Sequence, residues 1–188
     1  MHRDIHEQLE GVARSIENTD KEIPHSIKMK AAELILRLKN RRKKYFGLFV
    51  IVGWQRKWQK YLDISDSQQD IYAHHHIDIM HAKPGVNQRF DVSVTVNFDG
   101  AILIDRHGSI IHSGVFIEGL RPRVVAEKLN PGRFADLSEQ FGFNTKVHAR
   151  HLSAITSSYI FKGSTVFTVS EETGDFHMFE KGRIVHQS

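Results

Sequence analysis

The sequence predicts an α/β protein, and three observations carry that expectation. Two apolar stripes at helical spacing open the chain, a continuous apolar run follows, and the second half alternates short apolar strands with helical segments. Ile5, Leu9, Val12, Ala13 and Ile16 recur at intervals of three and four, which sets them on one face of a first helix. Ile27, Ala31, Leu34, Ile35 and Leu38 draw the same stripe on a second helix, with Ser26 as its candidate N-cap. "NTDKEIPHS" supplies the turn between them. Amphipathic helices usually pack on their own domain, and that is the expectation here, with another subunit as the alternative cover.

"RLKNRRKKYF" holds the densest positive charge in the chain. It reads as a solvated helix end, where cations suit the C-terminal dipole. A phosphate-gripping segment is the competing reading. It is not preferred, because no aromatic residues are interleaved to stack on bases. Gly47 to Gly53 then reads as a buried strand, with "WQRKWQKYLDI" as a helix laid over it. In "IYAHHHIDIM", His74, His76 and Asp78 share a face at period two, which suggests metal binding. The same alternation describes a half-exposed strand, and the strand is the preferred reading.

Residues 87–97 alternate as a strand that delivers the chain to Asp99. Two apolar runs around "DRHGS" predict a hairpin, with Gly108 in the backbone conformation that favours glycine. "PRVVAEKLN" and "ADLSEQFGF" read as short helices or turns flanking Pro131-Gly132. Arg150 to Ile160 reads as a helix. "STVFTVSEETGDFHMFEKGRIV" reads as strand, turn and strand, with a hairpin at "EKGR".

Composition narrows the function classes. A chain of 188 residues, 40% hydrophobic and 26% charged, suits one domain with its own core and a helical appendage. With no cysteine, disulfide frameworks and thiolate metal sites are excluded, which fits a reducing cytoplasm. The charged N-terminus does not suggest a secretory leader, and "YFGLFVIVGW" is too short to span a bilayer, so no membrane partner is expected. A net charge of +4 admits an anionic partner without requiring nucleic acid.

Three local signals carry chemistry. Arg150 and His151 open a helix, where backbone N–H groups and the dipole favour an anion. An arginine can hold two phosphate oxygens at once, and a histidine can donate another bond. Ser170, Glu171 and Glu172 follow an apolar strand, where a loop can present carboxylates to a hydrated Mg2+ or Mn2+. Asp99 adds a carboxylate, with Gly100 and Ala101 leaving room for a flat ring or sugar. Together these suggest a nucleotide site. Each also has a plain structural reading: Arg150 as a surface ion-pair partner, Asp99 as turn chemistry, Glu171 and Glu172 as solvated acids.

In this order, "DGA", "RH" followed by small residues, and an apolar strand ending in "SEETG" resemble the diadenylate cyclase domain. That is the nucleotide-binding domain of the DNA-integrity scanning protein and its relatives. The resemblance runs from about Tyr45 onward and is strongest from Arg150 to Val185. It implies a mixed central sheet flanked by helices, divided here as residues 1–40, a two-helix extension, and 41–188, the cyclase-like domain.

The resemblance further implies condensation of two ATP into cyclic di-AMP, in a homo-oligomer whose active domains meet face to face. Asp99 would orient or activate the ribose 3′-hydroxyl, and Gly100 and Ala101 would line the nucleotide. Arg150 and His151 would hold phosphates, Ser170 and Glu171 would contact the nucleotide, and Glu172 would bind the divalent metal. Nucleic acid is not an expected partner. There are departures from the pattern. Leu152 stands where many members have arginine, Ala149 where threonine is usual, and His148 where glycine is usual. The segment between the first two motifs is also longer, and its Arg121, Arg123 and Arg133 are candidate replacements for the missing cation.

Overall fold

Leu48–Trp54, strand β1, carries no charged side chain, so both of its faces can be buried, and every residue of it is. Leu48, Val50 and Val52 enter one apolar cluster, and Phe49, Ile51 and Trp54 enter a second on the opposite face. The computed structural model describes residues 4–63, 77–81 and 100–188. Asp99, His74, His76 and the strand expected over 87–97 lie outside these residues.

Around β1 the chain builds a mixed sheet. The other strands are β2 (Leu62–Asp63), β3 (Ile77–Asp78), β4 (Ala101–Asp105), β5 (Ser109–Ile117), β6 (Thr165–Val169), β7 (Phe176–Glu180) and β8 (Arg183–Gln187). Among the described residues the order is β2-β5-β4-β1-β6-β7-β8, with β3 also paired to β5. β1 and β4 run parallel, and the other pairings are antiparallel. Helices α1 (Ile5–Glu17) and α2 (His25–Arg41) share the first cluster, on one face. Helices α3 (Pro122–Leu129) and α5 (Ala149–Ile160) share the second, on the other, and α4 (Leu137–Gln140) is a single turn between them. The α/β class with a mixed sheet between helices is therefore the observed one.

Several elements form where local chemistry directs. The Asp105 carboxylate accepts the N–H groups of His107 and Ser109, and Gly108 takes φ +96°, closing the β4–β5 hairpin. The basic run ends α2, with Lys39 and Arg41 in its last turn and Lys43 and Lys44 exposed, as a solvated helix end requires.

Two expectations need correction. Ser26 does not cap α2: the helix starts at His25 behind Pro24, whose preset φ of −53° opens it without a side-chain bond. Among the described residues of "WQRKWQKYLDI" only Arg56–Tyr61 is helical, as a short 3-10 helix. The Trp54 and Trp58 rings both pack on Phe161 at 5.0 Å, and the chain must turn at once so that Leu62 can pair with Ile117.

A buried ion pair ties the helical layer to the sheet. Lys28, fully buried, places Nζ 2.7 Å from the Glu180 carboxylate on β7. It also donates to Thr19 Oγ1 and to the Asp20 carbonyl. Glu180 accepts in addition from the Thr165 hydroxyl and the Asp20 N–H. Every charge there is bonded, so the pair is tolerated inside a low-dielectric core. Replacing Lys28→Met strands the Glu180 carboxylate. The expected loss is about 3–5 kcal/mol in urea unfolding, and the double variant Lys28→Met/Glu180→Leu should recover most of it.

Candidate functional site

Helix α5 begins at Ala149 with His148 at its N-cap; among the described residues no side-chain bond caps it, and no acid sits in its first turn. Its first N–H groups therefore form an electropositive end. Facing it is the β6–β7 turn, residues 170–175. The Ser170 hydroxyl accepts the N–H groups of Glu172 and Thr173, and Ser170 N–H donates to the Asp175 carbonyl. Thr173 Oγ1 donates to Asp175 Oδ2 at 2.7 Å. These bonds consume the short side chains and turn Glu171 and Glu172 outward, as the strand–loop reading of "VSEETG" expects.

Both acids reach α5. Glu172 Oε2 lies 3.1 Å from His148 Nε2, and Glu171 Oε2 lies 3.6 Å from Arg150 Nη1. The Arg150 guanidinium spreads over Gly47, where an added Cβ would fall 1.8 Å from Nη1. Gly174, at φ +72°, is covered in the same way by the exposed Tyr45 ring. The absence of side chains at these two glycines is what lets the arginine and the tyrosine lie flat.

Between the turn and the helix opens a cleft of about 340 Å³, whose lining includes Lys146, His148, His151, Ser170, Glu172 and His177. Its buried floor is a pair of histidines: His151 and His177 pack edge to face with ring centroids 5.1 Å apart. Phe143 packs against both in the same edge-to-face manner. Burial pushes the His151 imidazole down to about 4, helped by the neighbouring His177 and Arg150 and opposed by Asp175. Burial also lowers His177, again against Asp175. Both rings are therefore neutral near pH 7.

Gly100 and Ala101 do not line this cleft. Ala101 is fully buried opposite Val115, and Gly100, at φ +115°, has no room for a Cβ because the Gly114 and Val115 backbone would lie 2.8 Å from it. Close strand packing accounts for both small residues. Sheet register nevertheless puts them at the same end as the cleft. Val50 pairs with Ile102 and Leu48 with Val169, so Gly100 stands two strand spacings, about 10 Å, from the start of the 170–175 turn.

Leu152 points into the apolar cluster beneath α5. Arg121, Arg123 and Arg133 are not in the cleft lining, whereas Lys146 is. Lys146 and His177 were missed by sequence reasoning. The one available signal was His177 itself, a single imidazole in the otherwise apolar run "FHMF". Asp78 accepts the Met80 N–H and meets the His81 ring at 2.8 Å. Among the described residues no three His, Asp or Glu side chains gather as metal ligands, and no helix is long and apolar enough to cross a membrane.

No family model and no curated protein matches the chain. Among solved structures, a hypothetical membrane-spanning protein of Bacillus cereus is similar over 84% of this chain, at 16% identity and a TM-score of 0.47. The chain spans 61% of that protein's length. DacA from Staphylococcus aureus, in a double-mutant form, is similar over 86% of this chain and 85% of its own, at 16% identity and a TM-score of 0.43. Both likenesses are distant.

The neutral floor makes stability depend on acid. An unfolded histidine takes up a proton near pH 6.5, while native His151 resists until about 4. The unfolded state therefore binds more protons between these values, so stability is complete above pH 6.5 and falls toward pH 4. The thermal midpoint should drop between pH 7.5 and 4.5, and the drop should shrink in His151→Gln. An equal drop in that variant would remove His151 as the source.

Proposed function

We propose that the chain is a diadenylate cyclase, condensing two ATP into cyclic di-AMP with release of two pyrophosphates. One observation carries the reading. The first turn of α5, bearing Arg150 and His151, faces the turn bearing Ser170, Glu171 and Glu172 across a donor-rich cleft. Phosphate groups suit such a place: the helix end, the Arg150 fork and Lys146 are cationic or electron-poor, and the site is already ordered. Glu171 now rests against Arg150, where a phosphate oxygen would make the stronger bond.

In the reaction the ribose 3′-oxygen of one ATP attacks the α-phosphorus of the other. The bond from that phosphorus to the bridging oxygen breaks, pyrophosphate leaves, and Asp99 receives or orients the hydroxyl proton; a second such step closes the ring. The two nucleotides come from two subunits held face to face, so the functional unit is a homo-oligomer. Arg150, Lys146 and the α5 terminus offset charge on the departing pyrophosphate, and this is where positioning and electrostatics do most of the catalysis.

Glu172, exposed beside the cleft with Asp175 in the same turn, offers hard oxygen ligands. One or two carboxylates fit Mg2+ or Mn2+, which keep waters and take their other ligands from phosphates. Bound there, the ion would neutralise charge on the phosphate chain.

A second reading rests on Leu152. Its side chain packs with the core, so it brings no cation to the site in the arginine's place. On that reading the domain binds nucleotide without turning it over.

Purified protein incubated with ATP and either metal should yield cyclic di-AMP, identified by chromatography and mass. Asp99→Asn should abolish product and retain ATP binding. ATP bound without product supports the second reading, and no ATP binding removes both. Gly47→Ala should push the Arg150 guanidinium from its seat, weakening ATP binding about tenfold with little change in unfolding midpoint.

A further inference from the structure

We propose that a second cavity, remote from the cleft, binds an organic monoanion, an apolar body carrying a single anionic group. It opens at the β7–β8 hairpin, where the turn between α1 and α2 meets the ends of α3 and α5. Its volume is about 680 Å³ against about 340 Å³ for the cleft, within the range of small-molecule sites. The two share no lining residue. Helix α5 lies between them, its first turn at the cleft and Ser158 and Tyr159 of its last turn in the cavity wall. The inference therefore stands apart from the nucleotide reading.

The fold leaves the apolar part of the wall half covered. Leu129, Tyr159 and Ile184 pack against the second core cluster and Val185 against the first, yet each is only half-buried. The cavity thus lies on the seam between the two helical layers, beside β8, the last strand of the sheet among the described residues. An apolar body seated there covers surface that water now wets, which is the main driving force for such binding.

Charge selects the ligand further. Of the charged side chains in the lining, Asp20 and Lys181 pair at 3.0 Å, and the buried Glu180 is held by Lys28 at 2.7 Å. Lys162 and Arg183 remain, both exposed, and among the described residues neither side chain makes a hydrogen bond or an ion pair. One acid stands against them: the Glu22 carboxylate lies over Gly163 and pairs with neither cation. The lining therefore carries one positive charge in excess, which a monoanion matches. A polyphosphate would meet Glu22 and Asp20 as repulsion, and a neutral body would gain nothing from the two cations.

The probe is anilinonaphthalene sulfonate, an aromatic monoanion whose fluorescence rises on leaving water, titrated into the full chain. It should bind saturably. The methyl resonances of Leu129, Ile184 and Val185 should shift on binding, while those of Val147 in the cleft wall should not. In Lys162→Glu/Arg183→Glu, which alters exposed positions only, the sulfonate should bind about tenfold more weakly. Phenylnaphthylamine, the same body without the sulfonate, should bind both proteins equally. No saturable binding, shifts confined to other methyl groups, or unchanged sulfonate affinity in the folded double variant would each overturn the inference. So would an equal loss for the neutral amine, which would mark a reshaped cavity rather than a lost charge contact. If the double variant does not fold, Arg183→Gln is read in the same way.

Discussion

The structure depends on one constraint: strand β1 must be buried on both faces. Leu48, Val50 and Val52 look one way and Phe49, Ile51 and Trp54 the other, so one helical layer cannot cover the strand. Roughly 1.5–3 kcal/mol attends burial of each such side chain, and leaving either face wet would forfeit much of the core. Helices α1 and α2 meet the need on one side, α3 and α5 on the other. The leading helix pair is thus part of the core.

That arrangement brings a cost and also places the site. Seating α2 against the sheet buries Lys28, which persists only because Glu180, Thr19 and the Asp20 carbonyl surround it. At the other end of the sheet, β1 and β4 begin where β6 ends, and α5 starts beside them. Gly47 lets Arg150 lie across that end, and Gly174 accepts Tyr45. Strand order therefore gathers residues 45–47, 100–101, 143–151 and 170–177 from four distant parts of the chain.

The electrostatics of the site follow from its floor. Two histidines packed in an aromatic nest give up charge, because burial penalises the protonated ring. What remains positive is at the rim: the helix end, Arg150 and Lys146. The floor is thus uncharged beneath a cationic edge, and Glu171 and Glu172 are exposed on the facing turn.

By itself the sequence determined whatever depends on neighbours along the chain. Gly108 and Asp105 make their hairpin locally, the "SEETG" turn closes on its own Ser170 hydroxyl, and helical periodicity marks α1, α2 and α5. Chemically distinctive residues could therefore be picked out, and Arg150 and Glu171 do meet. The tertiary structure alone decided what depends on residues far apart: the order of strands, the Lys28–Glu180 pair across 152 positions, and His177 beneath His151. It also showed that Gly100 and Ala101 are small because β5 presses against them. The physical reason is common to all of these. Turns and periodicity are written in short-range torsions and hydrogen bonds, whereas burial, desolvation and close approach depend on which distant surface the fold brings into contact.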